Sequence, residues 1–244
     1  MSSISKVEFY SPAMGQHVSY TVVLPDAGEG PFPVLMQLHG LTDSHAAWIN
    51  NSSIAQYANG YPMVIVFPDG GTGAYLNWVG HDRLGKREYE NLIITDITAH
   101  LQRHFNVTSG PWAIGGLSMG GYGSMRLGLK YADRYKSIWS HSSKFEWEGI
   151  VESGQFADPE DTDVRFHARA VNAMVDKPVI TFDCGTEDEL LDESRRLHAY
   201  MDEIGLAHTY NEHPGGHTWE YWDNHVQAAL AQHARVLGIE RIQQ

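Results

Sequence analysis

Residues 116–120 read Gly116-Leu117-Ser118-Met119-Gly120, a G-x-S-x-G motif that lies between an apolar run and a segment with helical spacing. A serine between a strand and a helix, with glycine two residues to either side, is typical of a nucleophile elbow. The turn is so tight that side chains at the flanking positions would collide with neighbouring backbone. The alternative is a glycine-rich turn with an incidental serine, and the flanking strand and helix disfavour it. The motif therefore predicts an exposed serine hydroxyl at the carboxyl end of a sheet, beside a helix N-terminus that favours negative charge.

Short apolar runs on both sides of this motif predict a central, mostly parallel sheet. Several of the runs are near-continuous rather than alternating, as expected of strands that are covered on both faces. The predicted strands are residues 18–24, 34–38, 63–67, 112–114, 136–140, 178–183 and 208–212. The loop at residues 25–33 is rich in glycine and proline and is either a hairpin or a crossover.

Helical periodicity between these strands predicts the covering layers. Apolar residues return every three to four positions in residues 89–105, 119–135, 189–204 and 220–237. Strand and helix alternate along the chain, which is typical of an α/β fold with helices on both faces of the sheet. Residues 144–172 fit no strand-and-helix unit, and we interpret them as a small cap or insertion over the site.

Composition limits the classes of partner. Thirty acidic residues against 17 basic ones give a net charge of -13, which disfavours binding to nucleic acid or to anionic membranes. The lone Cys184 cannot form an internal disulfide, and the first residues lack the apolar core of a secretory signal. We therefore expect a cytoplasmic protein with one domain over residues 1–244. Homo-oligomerisation is left open.

A serine hydroxyl is a weak nucleophile at neutral pH and needs a general base that a third group orients. In enzymes with the α/β-hydrolase fold, the acid and then the histidine follow the serine along the chain. Asp188 comes directly after the predicted strand at residues 178–183, and we predict it to be the acid. The competing carboxylates are Asp183, Glu187 and Glu189.

The histidine is predicted from its position in a loop, because 14 histidines make the residue type uninformative. His217 lies between the last predicted strand and the last predicted helix, behind two glycines that give the loop freedom. His213 and His225 are its rivals. We predict that His217 is the base.

Acyl transfer also needs donors for an oxyanion, and backbone amides can supply them. The amide of Met119 follows the nucleophile directly, and a second amide is expected in the loop after the strand at residues 34–38. We assign that second donor to Leu41. His39 in the same loop is predicted to be structural.

Five stretches together resemble a known family. LHGLTDSHAAW, FPDGG, GGLSMGGYGSMRLGL, CGTED and GGHTWEYW, in this order between residues 34 and 222, are similar to the α/β-hydrolase esterase family of tributyrin esterases, esterase D or S-formylglutathione hydrolases, feruloyl and acetylxylan esterases, and mycolyltransferases. The resemblance implies a nucleophile at Ser118, an acid at Asp188 and a base at His217. It also implies oxyanion amides at Leu41 and Met119, in agreement with the residue-level reasoning.

The resemblance implies a short-chain carboxylesterase without a cofactor. S-formylglutathione hydrolases normally carry a cysteine where this chain has Asp43, which disfavours a thioesterase of that type. This thioesterase and an acetyl or feruloyl carbohydrate esterase are the alternatives. A non-catalytic binding module with the same fold is a further alternative. The aromatic residues that could line a substrate pocket, although such positions are equally often core, are Trp48, Tyr75, Trp78, Phe145 and Trp147.

We expect no metal site. His100 and His104 lie four residues apart on a predicted helix, but no carboxylate or cysteine stands near them in a known metal-binding spacing. No H-E-x-x-H motif occurs. Exposed helix histidines are the simpler interpretation.

Overall fold

The computed structural model describes residues 2–78, 87–147 and 160–242. Ten strands fall within these ranges: β1 Ser3–Ser11, β2 Gln16–Leu24, β3 Val34–Leu38, β4 Val64–Pro68, β5 Asn77–Trp78, β6 Arg87–Glu88, β7 Trp112–Leu117, β8 Tyr135–His141, β9 Val179–Gly185 and β10 Thr209–His213. Eight of them form one sheet in the order β1-β2-β4-β3-β7-β8-β9-β10, and β5 pairs with β6 separately.

All neighbours from β4 to β10 in this order are parallel, whereas β2 is antiparallel to both β1 and β4. The predicted mostly parallel sheet is therefore confirmed. Because β4 lies between β2 and β3, the loop at residues 25–33 is a crossover and not a hairpin.

Helices cover both faces of the sheet: α1 Ala47–Asn51, α2 Ile54–Tyr57, α3 Tyr89–Asn91, α4 Thr98–His104, α5 Met119–Lys130, α6 Val164–Asn172, α7 Leu191–Glu203 and α8 Trp219–Val236. A π-helical segment, Leu92–Ile97, joins α3 to α4. The helix predicted over residues 89–105 is thus confirmed as one helical stretch whose middle is wound more loosely.

One apolar cluster lies on each face of the sheet, because alternate residues of a strand point to opposite sides. Met36 of β3 packs in a cluster with Met125 of α5, whereas Leu35 packs in a second cluster with Val226 of α8. Every residue of β3, β4 and β7 is buried, which explains why these strands are apolar without alternation.

The structure differs from the prediction at several places, and the short elements α1, α2, β5 and β6 were not predicted. β1 was not predicted, since it is an edge strand whose residues are mostly exposed and carry little apolar signal. Helix α5 ends at Lys130 rather than at residue 135, because the chain turns there into β8.

Residues 164–172, which the sequence assigns to the cap, form α6. This helix packs against α5 and α7 on the flank of the sheet, so it belongs to a strand-helix-strand unit between β8 and β9. Residues 148–159 of the predicted cap lie outside the described residues. Across the described ranges, no helix has both the length and the apolar character that crossing a bilayer requires.

Candidate active site

Ser118 lies at the sharp turn between β7 and α5. Its backbone is in a left-handed region, with φ 52° and ψ −118°, where residues other than glycine are uncommon. Its amide donates to the carbonyl of His141 at 2.9 Å, so β8 fixes the turn from the neighbouring strand.

The flanking glycines are required by space. A Cβ on Gly116 would overlap the carbonyl of Gly120, and a Cβ on Gly120 would lie 2.5 Å from the carbonyl oxygen of His39. The β7 strand, the α5 helix and the β3 loop therefore approach one another more closely than alanine would permit.

The structure brings the three predicted side chains together. His217 Nε2 lies 3.1 Å from Ser118 Oγ, and His217 Nδ1 lies 2.9 Å from Asp188 Oδ2 and 3.2 Å from its Oδ1. The Asp188 side chain is fully buried, whereas that of His217 is 28% exposed. The imidazole thus stands between a buried carboxylate and a hydroxyl that solvent can approach.

Asp188 is built to remain ionised. Burial by itself raises the pKa of this carboxyl group, but hydrogen bonds from His217 and from the Leu190 amide lower it, and the net effect is a pKa below the ordinary value. The Leu190 amide donates to Asp188 Oδ1 at 2.9 Å. The resulting carboxylate is placed to accept a hydrogen from His217 Nδ1, which leaves Nε2 free to accept from Ser118.

The rival carboxylates lie elsewhere. Asp183 accepts hydrogen bonds from Trp139 Nε1 at 2.6 Å and from the Tyr221 hydroxyl at 2.8 Å, and it lies 2.8 Å from His141. Glu187 and Glu189 are exposed to solvent. Asp183 is therefore a buried structural carboxylate behind the elbow.

The rival histidines stack on each other. The rings of His213 and His225 are 4.3 Å apart at an interplanar angle of 15°, and His225 also contacts Tyr221. His217 is the one among these three histidines that contacts Ser118.

The two predicted oxyanion amides flank the serine. Met119 is the first residue of α5, and the loop that carries Leu41 passes directly over Ser118, since a Cβ on Gly40 would lie 3.6 Å from Ser118 Cβ. In the described part of the chain, the amides of Leu41 and Met119 donate to no protein acceptor. Both are free to donate to a substrate.

A clasp behind this loop was not predicted from the sequence. The Tyr75 hydroxyl accepts from the His39 amide at 2.9 Å and donates to the His39 carbonyl at 3.0 Å. His39 Nε2 accepts from the Gly70 amide at 2.8 Å, and Nδ1 lies 2.7 Å from the Gly40 carbonyl. His39 therefore carries its proton on Nδ1 and joins the loops after β3 and β4, which agrees with its predicted structural role.

Burial separates the five aromatic candidates for a substrate pocket. Trp48, Tyr75 and Phe145 are buried in the core, and the Trp48 indole donates to the Leu38 carbonyl at 3.0 Å. Their burial favours the core alternative. Trp78 and Trp147 are half-buried, and their pocket role stays a prediction.

Two tryptophans outside the five predicted aromatic residues belong to a cluster that reaches the imidazole. The ring of Trp222 stands perpendicular to His217 at 4.9 Å between centroids, and half-buried Trp219 contacts both Trp222 and Trp48 at 5.3 Å. The signal was present in GGHTWEYW, where aromatic residues follow the histidine at the start of α8. Trp222 therefore borders the His217 ring, and Trp219 extends this aromatic cluster to Trp48.

Within residues 2–78, 87–147 and 160–242, three metal-ligating side chains come together in one place, and it is not this site. They are His198, Asp202 and His208, at the other end of the sheet. His100, which the sequence analysis weighed as a ligand, bonds through Nδ1 to the Tyr20 hydroxyl at 2.8 Å.

Comparisons with known proteins agree with this architecture. An acetyl esterase from Caldicellulosiruptor saccharolyticus is 24% identical over 267 residues, covering 96% of this chain and 99% of the relative. A substrate-bound structure of FphF, a fluorophosphonate-binding serine hydrolase of Staphylococcus aureus, has a TM-score of 0.84 at 23% identity and covers 95% of this chain and 98% of that chain. An S-formylglutathione hydrolase from Agrobacterium tumefaciens has a TM-score of 0.87 at 20% identity, covering 97% and 96% respectively. The α/β-hydrolase fold is thereby shown.

A sequence profile described as "Putative esterase" matches residues 11–233. That range spans the sheet from the end of β1 to the last turns of α8 and includes Ser118, Asp188 and His217. The chain belongs to this esterase family.

Proposed function

We propose that this chain is a serine carboxylesterase that hydrolyses short-chain acyl esters through an acyl-enzyme on Ser118. The observation that carries the proposal is the distance of 3.1 Å between His217 Nε2 and Ser118 Oγ, with Asp188 on the far side of the imidazole. A strained serine at a helix N-terminus, a base in reach and an orienting carboxylate are the parts that acyl transfer requires.

The reaction proceeds in two halves. His217 Nε2 takes the hydroxyl proton as Ser118 Oγ attacks the ester carbonyl, and the imidazolium then gives that proton to the leaving alcohol. Water enters, and His217 takes one of its protons as the water oxygen attacks the acyl carbon. The imidazolium then gives that proton to Ser118 Oγ as the bond to the acyl group breaks, which releases the acid and free Ser118. Asp188 stabilises the imidazolium in both halves and keeps its charge throughout.

Backbone amides stabilise the tetrahedral intermediates. The amides of Leu41 and Met119 are the proposed donors, and each such donor contributes about 3 kcal/mol of transition-state stabilisation. The clasp of His39 and Tyr75 holds the Leu41 loop in place. The protein therefore does not have to reorganise this loop when negative charge develops.

The substrate is proposed to carry a small acyl group. The acetyl esterase relative supports this, because its name states the acyl group and it aligns over nearly the whole chain. Half-buried Trp219, which packs on Trp222 next to His217, supplies apolar surface for the acyl or alcohol group. A panel of p-nitrophenyl esters of increasing chain length, together with S-formylglutathione and feruloyl and acetyl sugars, separates this proposal from a thioesterase or a carbohydrate esterase.

A fluorophosphonate probe tests the nucleophile. The probe should label the wild-type protein and leave Ser118→Ala unlabelled, while Ser109→Ala, a serine in the loop before β7, should label like the wild type. Equal labelling of wild type and Ser118→Ala would place the nucleophile elsewhere and refute the proposal.

The cytoplasm is the proposed location, because the single cysteine is buried and unpaired and needs no oxidising compartment. Small esters are the proposed partners. Fractionation of the native cells checks the location.

A further inference from the structure

Three side chains with metal-ligating atoms meet where β10 begins. His198 and Asp202 lie one turn apart on α7, and His208 directly precedes β10. One ligand atom of each residue lies within 4.8 Å of those of the other two. Because β10 runs parallel to β7, this cluster lies at the end of the sheet opposite Ser118.

The turn between α7 and β10 brings the three residues together. Gly205 has a φ of 70°, its amide donates to the Asp202 carbonyl at 3.0 Å, and the Leu206 amide donates to the Met201 carbonyl at 2.9 Å. These two bonds form a Schellman motif, which ends the helix in a fixed geometry. The position of His208 beside α7 is therefore set by the backbone.

The ring of His208 is oriented as a metal ligand would be. Its side chain is 3% exposed, it stacks on Phe182 at 5.6 Å with an interplanar angle of 16°, and its Nδ1 lies 2.7 Å from the Leu206 carbonyl oxygen. A carbonyl can only accept, so Nδ1 carries the hydrogen and Nε2 presents a lone pair. A backbone carbonyl on the distal nitrogen is the usual support of a metal-binding histidine.

The lone pair of His208 Nε2 faces further electron-rich atoms. His198 Nδ1 lies 2.8 Å away, and Asp202 places Oδ1 3.9 Å from His208 Nε2 and Oδ2 3.6 Å from His198 Nε2. If His198 donates its one hydrogen through Nδ1, its Nε2 lone pair faces the carboxylate. A single cation among these atoms would accept a lone pair from each imidazole and would neutralise the charge of the carboxylate.

We propose that His198, Asp202 and His208 bind one divalent transition-metal ion of the zinc class. Two imidazoles and one carboxylate form a donor set that suits Zn²⁺ and disfavours Mg²⁺ and Ca²⁺, which prefer oxygen ligands. Tetrahedral ligands of zinc stand about 3.3 Å from one another. Since the side chains of His198 and Asp202 are 39% and 64% exposed, small rotations bring them to that spacing around the fixed His208.

The ion would link the end of α7 to His208, the residue that directly precedes β10. The spacing H-x3-D-x5-H was not considered in the sequence, because the Schellman turn that brings His208 beside α7 is visible only in the structure. The proposed metal site lies at the opposite end of the sheet from Ser118. It should therefore stabilise the protein without changing the chemistry on Ser118.

Calorimetric titration of the tag-free protein with ZnCl₂, after treatment with EDTA, tests the site. His198→Ala and Asp202→Asn should each bind one Zn²⁺ ion fewer per chain than the wild type, or bind it more weakly by over about 100-fold, since outer partners alone are worth about 10–100-fold. The matched controls are His17→Ala, an exposed histidine beside the single carboxylate of Glu8, and Asp192→Asn on the same helix. Both controls should keep the wild-type stoichiometry.

Two further measurements do not depend on the variants. Zn²⁺ should raise the thermal midpoint of the wild type, and the rise should grow with the free Zn²⁺ concentration. Co²⁺ should give the visible absorption of a tetrahedral site. The proposal would be overturned by unchanged Zn²⁺ stoichiometry in His198→Ala and Asp202→Asn, by equal binding of Mg²⁺, or by the absence of a stoichiometric ion in the wild type.

Discussion

Ser118 combines two features that serve the same chemistry. Its left-handed backbone exposes Oγ at the head of α5, and the amide of its successor Met119 has no acceptor among the residues that the structure describes. The strain at such a position, about 1–3 kcal/mol, persists only where surrounding structure fixes it. The His141 carbonyl on β8 and the close contact at Gly120 provide that constraint.

Single substitutions in the three-residue site should differ in severity. Ser118→Ala and His217→Ala should lower kcat/KM for p-nitrophenyl acetate by several orders of magnitude, and Asp188→Asn by somewhat less, because the histidine then loses its tautomer but keeps its place. His213→Ala and Glu187→Gln are the matched controls and should retain activity. A fully active Asp188→Asn would show that the acid is misassigned.

At the scale of elements, one hydroxyl holds together the loops that follow β3 and β4. Tyr75 Oη satisfies both the amide and the carbonyl of His39, and Tyr75→Phe would leave these buried groups unpaired at a cost of about 1–3 kcal/mol. We expect lower stability in urea and a lower kcat with little change in KM, because the Leu41 loop loosens.

Tyr20→Phe is the control for this prediction. It removes a buried hydroxyl that bonds to His100 at 2.8 Å and not to His39, and should lower stability without lowering kcat. Equal kcat in both variants would mean that the clasp does not position the oxyanion amides.

A buried ion network joins α5 to two other segments. The Arg126 side chain, 1% exposed, lies 2.6 Å from Glu90 and also contacts Asp161, and Lys130 lies 2.8 Å from each of these carboxylates. The pKa of Glu90 is lowered, since Arg126 and its other partners outweigh the effect of burial. The nucleophile helix is thereby tied to α3 and to the residues that precede α6.

Arg126→Met should destabilise the fold by about 3–5 kcal/mol, because Glu90 would lose its buried partner. Arg126→Met with Glu90→Leu should recover much of that loss. Lys136→Ala, which breaks an exposed pair with Asp176, should cost less than about 1 kcal/mol. Denaturant unfolding measures all three, and a cost for Arg126→Met as small as that of Lys136→Ala would show that the network is not needed.

At the scale of the whole molecule, a buried neutral histidine should make stability depend on pH. Burial, with a smaller effect of His141, lowers the pKa of His233 to about 3. Between the unfolded pKa of about 6.5 and this value, the unfolded chain binds a proton that the folded one does not. The contribution of neutral His233 to the free energy of unfolding is therefore fully present above about pH 6.5. It is lost as the pH falls toward 3, by up to about 1.4 kcal/mol per pH unit.

His233→Gln isolates this contribution, because glutamine does not titrate and can still bond to Ser137, which lies 2.8 Å from His233 Nδ1. The difference in unfolding free energy between wild type and variant should shift in favour of the variant from pH 7 to pH 5. A difference that stays constant would contradict a neutral His233.

The sequence predicted the parts whose signal is local. Strands covered on both faces, such as β3 and β7, are continuous apolar runs, and the elbow is specified by its own five residues. Exposed β1 has no such signal. The π-helical segment at residues 92–97 changes the spacing of apolar residues too little to be recognised in the sequence. The clasp at Tyr75 joins residues far apart in sequence, and the cluster at His208 forms across a turn, so only the fold reveals them.

The one-domain organisation remains our proposal, which a single cooperative unfolding transition would support.

The acyl-enzyme is the most direct test of the central claim. Wild-type protein mixed with p-nitrophenyl acetate, quenched in acid during the first turnover and digested, should carry one acetyl group on the peptide that contains Ser118. His213→Ala should give the same peptide, and Ser118→Ala should give none. Acetylation of another residue at the rate of turnover, or turnover by Ser118→Ala at the wild-type rate, would contradict the account.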